Sequence, residues 1–291
     1  MPIPNIKLGN GVEMPVIGFG SAKIEEGEFP RVIHDALDEG YRYFDAAFEY
    51  GNEDKVGKAL REGNVSREEL FIATKLPAMD LGYDKTLRAF DTSCKNMGLD
   101  YLDLYVIHFP LLDYDAFCES WKAMEKIYKE GRARAIGVSG FFEVHLERIL
   151  QICEITPHVN MLECNPFITE EACRDYCLSK GIHIISWFIL GGPTVPLKSF
   201  VRKDTARLLE NETLVSIAKN RGRTPAQIAV RWAIQNGMTA LYKSSKRERM
   251  RENRDVFDFV LSDVEMHQIS ALNYNRRYGL DTMRYDGVHP C

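Results

Sequence analysis

Four ionisable side chains stand where short apolar runs end: Asp45 near the end of 41–46, Tyr50 five residues on, Lys75 near the end of 70–76 and His108 near the end of 102–109. They are a carboxylate, a phenol, an ammonium and an imidazole, the groups that hold charge or exchange protons. Each alone has an ordinary structural explanation, since a strand-end lysine is commonly a solvated tip and a solitary histidine a hydrogen-bonded core residue. All four at successive run ends point to one acid–base site. Such a site requires the runs to lie side by side, parallel and in step.

The elements that would do this are legible in the pattern. Apolar runs at 16–19, 41–46, 70–76, 102–109, 133–139, 159–164, 183–188 and 238–243 read as eight buried parallel strands. Helical periodicity fills 29–39, 55–62, 85–97, 117–130, 144–153 and 170–180, with glycines closing several of these segments (Gly40, Gly63, Gly98, Gly131, Gly181). From the second run onward the starts lie 24 to 32 residues apart, except for a last step of 55. A βα unit that recurs without a linker predicts one (β/α)8 TIM barrel, a single domain over 1–291. A doubly wound sheet is the alternative, but the turn Gly18-Phe19-Gly20-Ser21-Ala22-Lys23 does not complete the glycine pattern that fold carries. The Asn10-Gly11 pair predicts a β-hairpin over 1–14 with a two-residue turn. The tail, 274–291, is too irregular for a helix. In a barrel, chemistry collects at the C-terminal ends of the strands, where the four side chains fall.

Composition narrows the partners. With 37 Lys and Arg against 42 Asp and Glu, the 291-residue chain carries a net charge of −5 and no general cationic field for nucleic acid or an anionic membrane surface. No apolar window reaches 18 residues and the start lacks a secretion pattern, so the cytoplasm and a monomer or weak homo-oligomer are expected. Seven cysteines, an odd number in a long chain, read as reduced thiols. Cys173 and Cys177 share a helix face but lack a metal-site pattern, which favours core packing. Against the acidic background, Lys243, Lys246, Arg247, Arg249 and Arg251 cluster after the last strand, where barrels of this kind bind phosphate.

The segments Met14-Pro15-Val16-Ile17-Gly18-Phe19-Gly20, Gly40-Tyr41-Arg42-Tyr43-Phe44-Asp45-Ala46-Ala47-Phe48-Glu49-Tyr50-Gly51-Asn52-Glu53, Phe71-Ile72-Ala73-Thr74-Lys75-Leu76 and Asp100-Tyr101-Leu102-Asp103-Leu104-Tyr105-Val106-Ile107-His108-Phe109-Pro110 carry a resemblance. Over nearly its whole length the chain resembles the aldo-keto reductase superfamily, whose catalytic tetrad falls on Asp45, Tyr50, Lys75 and His108. The resemblance implies reduction of an aldehyde or ketone to an alcohol by hydride transfer from NADPH, with Tyr50 as general acid. Negative charge developing on the carbonyl oxygen needs such a donor and polar groups aimed at it. Lys75 would favour the ionised phenol and strengthen the acid, Asp45 would orient Lys75, and His108 would donate a second hydrogen bond.

For the cofactor, NADPH or NADP+, the resemblance implies a 2′-phosphate clamp at Lys243, Ser244 and Arg249, adenine contacts at Glu252 and Asn253, and further contacts at Ser21, Ala22, Ser139, Gly140, Met161, Trp187 and Leu190. Gly140 and Met161 stand where the pattern has Asn and Gln to hold the nicotinamide amide, and Trp187 stands where a tyrosine stacks on the ring. Two missing hydrogen bonds at about 0.5 to 1.5 kcal/mol each weaken the cofactor about tenfold to a hundredfold. The substrate pocket would be walled by Phe48, Glu49, Pro77, Phe109 and Phe141, the loop 191–204 and the tail. Ala22, Pro77 and Phe109 fill positions often held by tryptophan, so the pocket is expected to be wide. The tail cations Arg276, Arg277, Arg284 and His289 hint at an acidic substrate. Two other readings stay open: a catalytically silent NADP-binding sensor or partner subunit, suggested by Gly140 and Met161, and a non-redox isomerase or lyase using Tyr50 and Lys75.

Overall fold

Strand residues alternate between two buried faces, and this alternation builds the molecule. The computed structural model describes residues 1–192, 207–275, 277–279 and 281–283. Two strands, β1 (Asn5–Lys7) and β2 (Glu13–Pro15), pair antiparallel. Eight more, β3 (Ile17–Gly20), β4 (Tyr43–Asp45), β5 (Phe71–Leu76), β6 (Leu102–Ile107), β7 (Ala133–Ser139), β8 (Val159–Glu163), β9 (His183–Trp187) and β10 (Thr239–Tyr242), close into a parallel barrel, with β10 pairing both β9 and β3. The expected (β/α)8 barrel with an N-terminal hairpin is the observed fold.

One face of the strands fills the lumen with Tyr43, Phe71, Ala73, Leu104, Val106, Ala135, Val159, Met161, Ile185 and Leu241. The other face meets the helices α1 (Phe29–Asp38), α2 (Glu53–Glu62), α3 (Tyr83–Met97), α4 (Tyr114–Lys129), α5 (Glu143–Leu150), α6 (Glu171–Ser179), α7 (Glu212–Arg221) and α8 (Pro225–Gln235) through residues such as Phe44, Ile72, Tyr105, Ile136 and Leu162. Two more helices, α9 (Arg247–Arg254) and α10 (Asp263–Ser270), follow β10. Among the described residues no helix is long and apolar enough to cross a membrane.

The hairpin plugs the lumen with Leu8 and Met14, at the end opposite the strand C-termini. Its turn differs from expectation: three residues, Gly9, Asn10 and Gly11, lie between Leu8 and Val12, which bond N–H to O at 2.9 Å. Gly11 at φ +84 absorbs the extra residue in a left-handed conformation, and Asn10 Nδ2 bonds to Arg134 O at 2.9 Å, tying the turn to the barrel. The second strand is shorter than the run 41–46 because the Tyr41 N–H completes the end of α1 by bonding to Ala36 O at 3.0 Å. The 55-residue step contains α7 and α8, each opened by a cap: Asn211 accepts from Thr213 and Leu214, and Thr224 with Gln227 forms a capping box.

The six described cysteines are free thiols, and Cys291 lies outside the described residues. Cys173 and Cys177 on α6 are buried against the barrel, where Asn160 Nδ2 donates to Cys177 Sγ at 3.5 Å, as core packing predicts.

Candidate active site

Strand parity carries the chemistry into the lumen mouth. Tyr43 and Asp45, then Phe71, Ala73 and Lys75, then Leu104, Val106 and His108 are sets spaced by two, so the last polar member of each continues an apolar column. Registers of Asp45 with Ala73 and Lys75 with Val106 bring these ends level. Lys75 Nζ donates to Asp45 Oδ2 at 2.5 Å and to Ala46 O at 2.9 Å, and both side chains are buried.

Tyr50 comes from a short helical turn, Phe48–Tyr50, whose flanks are pinned. Asn52 Nδ2 donates to Ser21 O and Oγ at 3.0 Å each, while the buried Glu53 accepts from Thr74 Oγ1 at 2.7 Å and Asn96 Nδ2 at 2.9 Å. The Tyr50 ring stands edge-on to His108 at 5.6 Å, with Lys75 Nζ 5.1 Å from its centroid. Tyr50 is 37% exposed at the barrel mouth. Desolvation there raises the phenol pKa, and Lys75 is the chief opposing influence, so the net shift is opposite to the one expected from Lys75 alone. The phenol therefore keeps its proton through neutral pH. Burial lowers Lys75, but Asp45 and Tyr50 together outweigh it and hold the ammonium charged.

His108 lies flat on Phe109 at 4.3 Å. Glu49 Oε2 is 2.9 Å from His108 Nδ1, and Glu49 Oε1 accepts the Ala78 N–H at 3.1 Å. Burial lowers the His108 pKa against the pull of Glu49. Phe48 is half-buried beside this group and Pro77 is buried. Phe141 is corrected: it is fully buried against Phe117 and His145, outside the barrel wall. Gly140 at φ +68 breaks the strand parity and turns the next side chain into the core.

Of the residues expected at the cofactor, Ser139 and Met161 point into the lumen, with Met161 wholly enclosed. Ser21 Oγ is spent on Asp45 O at 2.8 Å. Ala22, Leu190 and Trp187 are half-buried, and the Trp187 Nε1 is buried without a hydrogen bond. Past β10, the basic cluster divides. Arg247 and Arg251 both bind Glu39, which this holds at a pKa of about 2, so they tie α9 to α1. Lys243 and Arg249 have no salt bridge among the described residues, and desolvation lowers the Lys243 pKa. Ser244 is buried beside them, bonded to the Lys246 backbone. Glu252 accepts from Thr224 Oγ1 at 2.8 Å, and Asn253 is buried. A desolvated, unpaired lysine, an exposed arginine and an orphaned indole N–H fit a phosphorylated dinucleotide.

Glu163 had no assigned role, although it shares the parity of Met161, two residues before it. It is buried at the end of β8 and accepts the Tyr278 and Gly279 N–H groups at 2.5 and 2.8 Å. Arg277 pairs with Glu170, and Thr282 Oγ1 donates to Gly140 O at 2.6 Å. The described tail residues thus cross the ends of β7 and β8 beside the mouth, whereas Arg276, Arg284, His289 and 193–206 lie outside the described residues.

Burial pushes the Glu163 pKa from 4.5 up to about 7. Stability linked to this group is complete below the unfolded value and lost as pH rises through the folded one. Glu163→Gln should reduce the fall in unfolding free energy between pH 5 and 8 by on the order of 3 kcal/mol, measured by urea titration. An unchanged pH dependence would contradict that assignment.

The pattern of the "Aldo/keto reductase family" matches residues 16–274. Glyoxal reductase of Bacillus subtilis (strain 168) is 44% identical over 275 residues, 94% of each chain. Morphine 6-dehydrogenase of Pseudomonas putida is 40% identical over 283 residues, 97% of this chain and 96% of its own. The crystal structure of an aldo-keto reductase enzyme from a Medee basin deep-sea metagenome library superimposes with a TM-score of 0.89 at 38% identity, covering 97% of this chain and 99% of that one. With its closed parallel barrel and these matches over nearly its whole length, this chain belongs to the aldo/keto reductase family of oxidoreductases.

Proposed function

We propose that this chain is an NADPH-dependent carbonyl reductase with Tyr50 as general acid. The observation that carries the reading is the convergence of Tyr50, charged Lys75 and His108 at the barrel mouth. NADPH, when bound, supplies the hydride that reaches the carbonyl carbon. Tyr50 gives its proton to the oxygen as negative charge develops there, and Lys75, held by Asp45, stabilises the phenolate left behind. Lys243 and Arg249 would hold the 2′-phosphate, with Ser244 bordering it. The names of the relatives support small dicarbonyl or cyclic ketone substrates. The reading takes the whole chain, 1–291, as one working unit.

The test combines binding and turnover. NADPH should quench tryptophan fluorescence and be oxidised on adding a neutral aldehyde, and Arg249→Ala should weaken NADPH about tenfold or more while leaving NADH unaffected. Quenching with no oxidation across a panel of aldehydes and ketones would overturn the reductase reading in favour of a cofactor-holding sensor. That second reading draws support from Thr282, whose Cγ2 would lie 2.7 Å from a β-carbon at Gly140, the position of the missing amide-holding side chain.

A further inference from the structure

The tail brings to the end of β7 a side chain that the strand itself lacks. Thr282 is buried, at 2% exposure, and its Oγ1 donates to Gly140 O at 2.6 Å. Its Cγ2 lies 2.7 Å from where a β-carbon at Gly140 would stand, with its Oγ1 3.4 Å and Phe109 Cδ1 3.5 Å from the same point. Thr282 thus fills the place of a side chain at position 140, beside the Phe109 ring that stacks on His108. The preceding residue, Ser139, shares the lumen parity of Ala135 and is 3% exposed, and its hydroxyl makes no hydrogen bond among the described residues.

A hydroxyl has one proton to donate and two lone pairs. Ser139 keeps its proton for a ligand, whereas Thr282 has given its proton to Gly140 and can only accept. A free donor and an acceptor-only oxygen at adjoining positions are the complement of a primary amide, which carries one C=O and one NH2. A carboxylate in the same place would meet, in Thr282, an oxygen with no proton to offer. We propose that Thr282 is a cofactor-binding residue, accepting from the NH2 of the nicotinamide carboxamide while Ser139 donates to its carbonyl. The tail thereby supplies one of the two hydrogen bonds that Gly140 and Met161 withhold. This contact rests on the NADPH reading alone and serves a reductase and a cofactor-holding sensor alike.

Calorimetric titration with NADP+ and with its acetylpyridine analogue, which keeps the carbonyl and has a methyl group in place of NH2, isolates this one bond. The parent should prefer NADP+ by about threefold to tenfold, the worth of one hydrogen bond. Thr282→Val keeps the shape and loses the oxygen, so it should bind the two alike, while Thr282→Ser should keep the preference. Any loosening of the tail in Thr282→Val acts on both dinucleotides and leaves their ratio as the readout. Gly140→Asn combined with Thr282→Gly places an amide oxygen there from the strand side, on a residue type that tolerates φ +68, and should restore the preference. A preference for NADP+ that survives in Thr282→Val overturns the proposal, as does a parent that binds the two dinucleotides equally. Parent protein that binds neither overturns the NADPH reading itself, and this contact with it.

Discussion

Tyr50→Phe should lower kcat/KM for carbonyl reduction by about a hundredfold to ten-thousandfold, the range a well-placed general acid supplies, while NADPH affinity is unchanged. The change deletes one oxygen and keeps the ring that stands edge-on to His108 at 5.6 Å. None of the groups assigned to the cofactor touches that oxygen. The pair of measurements therefore separates proton donation from binding: fluorescence titration reads the second, and steady-state turnover the first. Normal turnover in Tyr50→Phe would remove Tyr50 from the mechanism. Because burial raises the phenol pKa, the acid arm of the parent profile should contain no loss of the Tyr50 proton, which departs only on the alkaline side of its ordinary value near 10.

Lys75→Met should cost both activity and stability. Asp45 is buried, its Oδ2 is bound to Lys75 at 2.5 Å, and its Oδ1 has no hydrogen bond. Removing the ammonium leaves an uncompensated buried charge, with an expected loss of about 3 to 5 kcal/mol of unfolding free energy. The double change Lys75→Met with Asp45→Asn should recover most of that loss, because no charge remains to be desolvated, and recover none of the turnover. Urea denaturation of the parent, both single variants and the double variant gives the coupling directly. Additive single effects would show that the two residues act independently, contrary to the geometry.

The barrel and three of the four acid–base residues were legible because they follow from a period of two, whereas Tyr50 sits on the helical turn after β4 and follows from the family resemblance. Apolar runs of four to eight residues specify buried parallel strands, and a polar residue two places beyond an inward apolar one must face the lumen mouth. Asp45 after Tyr43, Lys75 after Ala73 and His108 after Val106 obey this rule. So does Glu163 after Met161, on the sixth strand of the barrel, where the same parity marks it. Phe141 misled because one left-handed residue, Gly140, breaks the period.

Other features depend on quantities a sequence does not contain. The Tyr50 shift is governed by the walls around it, which come from distant segments. The division of the basic cluster depends on Glu39, more than 200 residues away in the chain, facing Arg247 and Arg251 but not Arg249. Helix α9, with only Met250 and Asn253 buried, has no apolar stripe to betray it. The hairpin turn was expected at two residues because Asn-Gly favours that length, and a second glycine before it allowed three.

Glu163 grips the tail by main-chain N–H groups of Tyr278 and Gly279, atoms that every residue except proline possesses. Attachment of the tail at this point is thus separable from the identity of its side chains. Substitutions can accumulate beside this attachment and reshape what borders the mouth, so long as Glu163 remains, proline is excluded from those two positions and Gly279 is kept, since a β-carbon there would come within 2.5 Å of the Trp187 ring. One buried carboxylate in the barrel wall makes the neighbouring segment an exchangeable part, suited to segment grafting between relatives of different substrate preference.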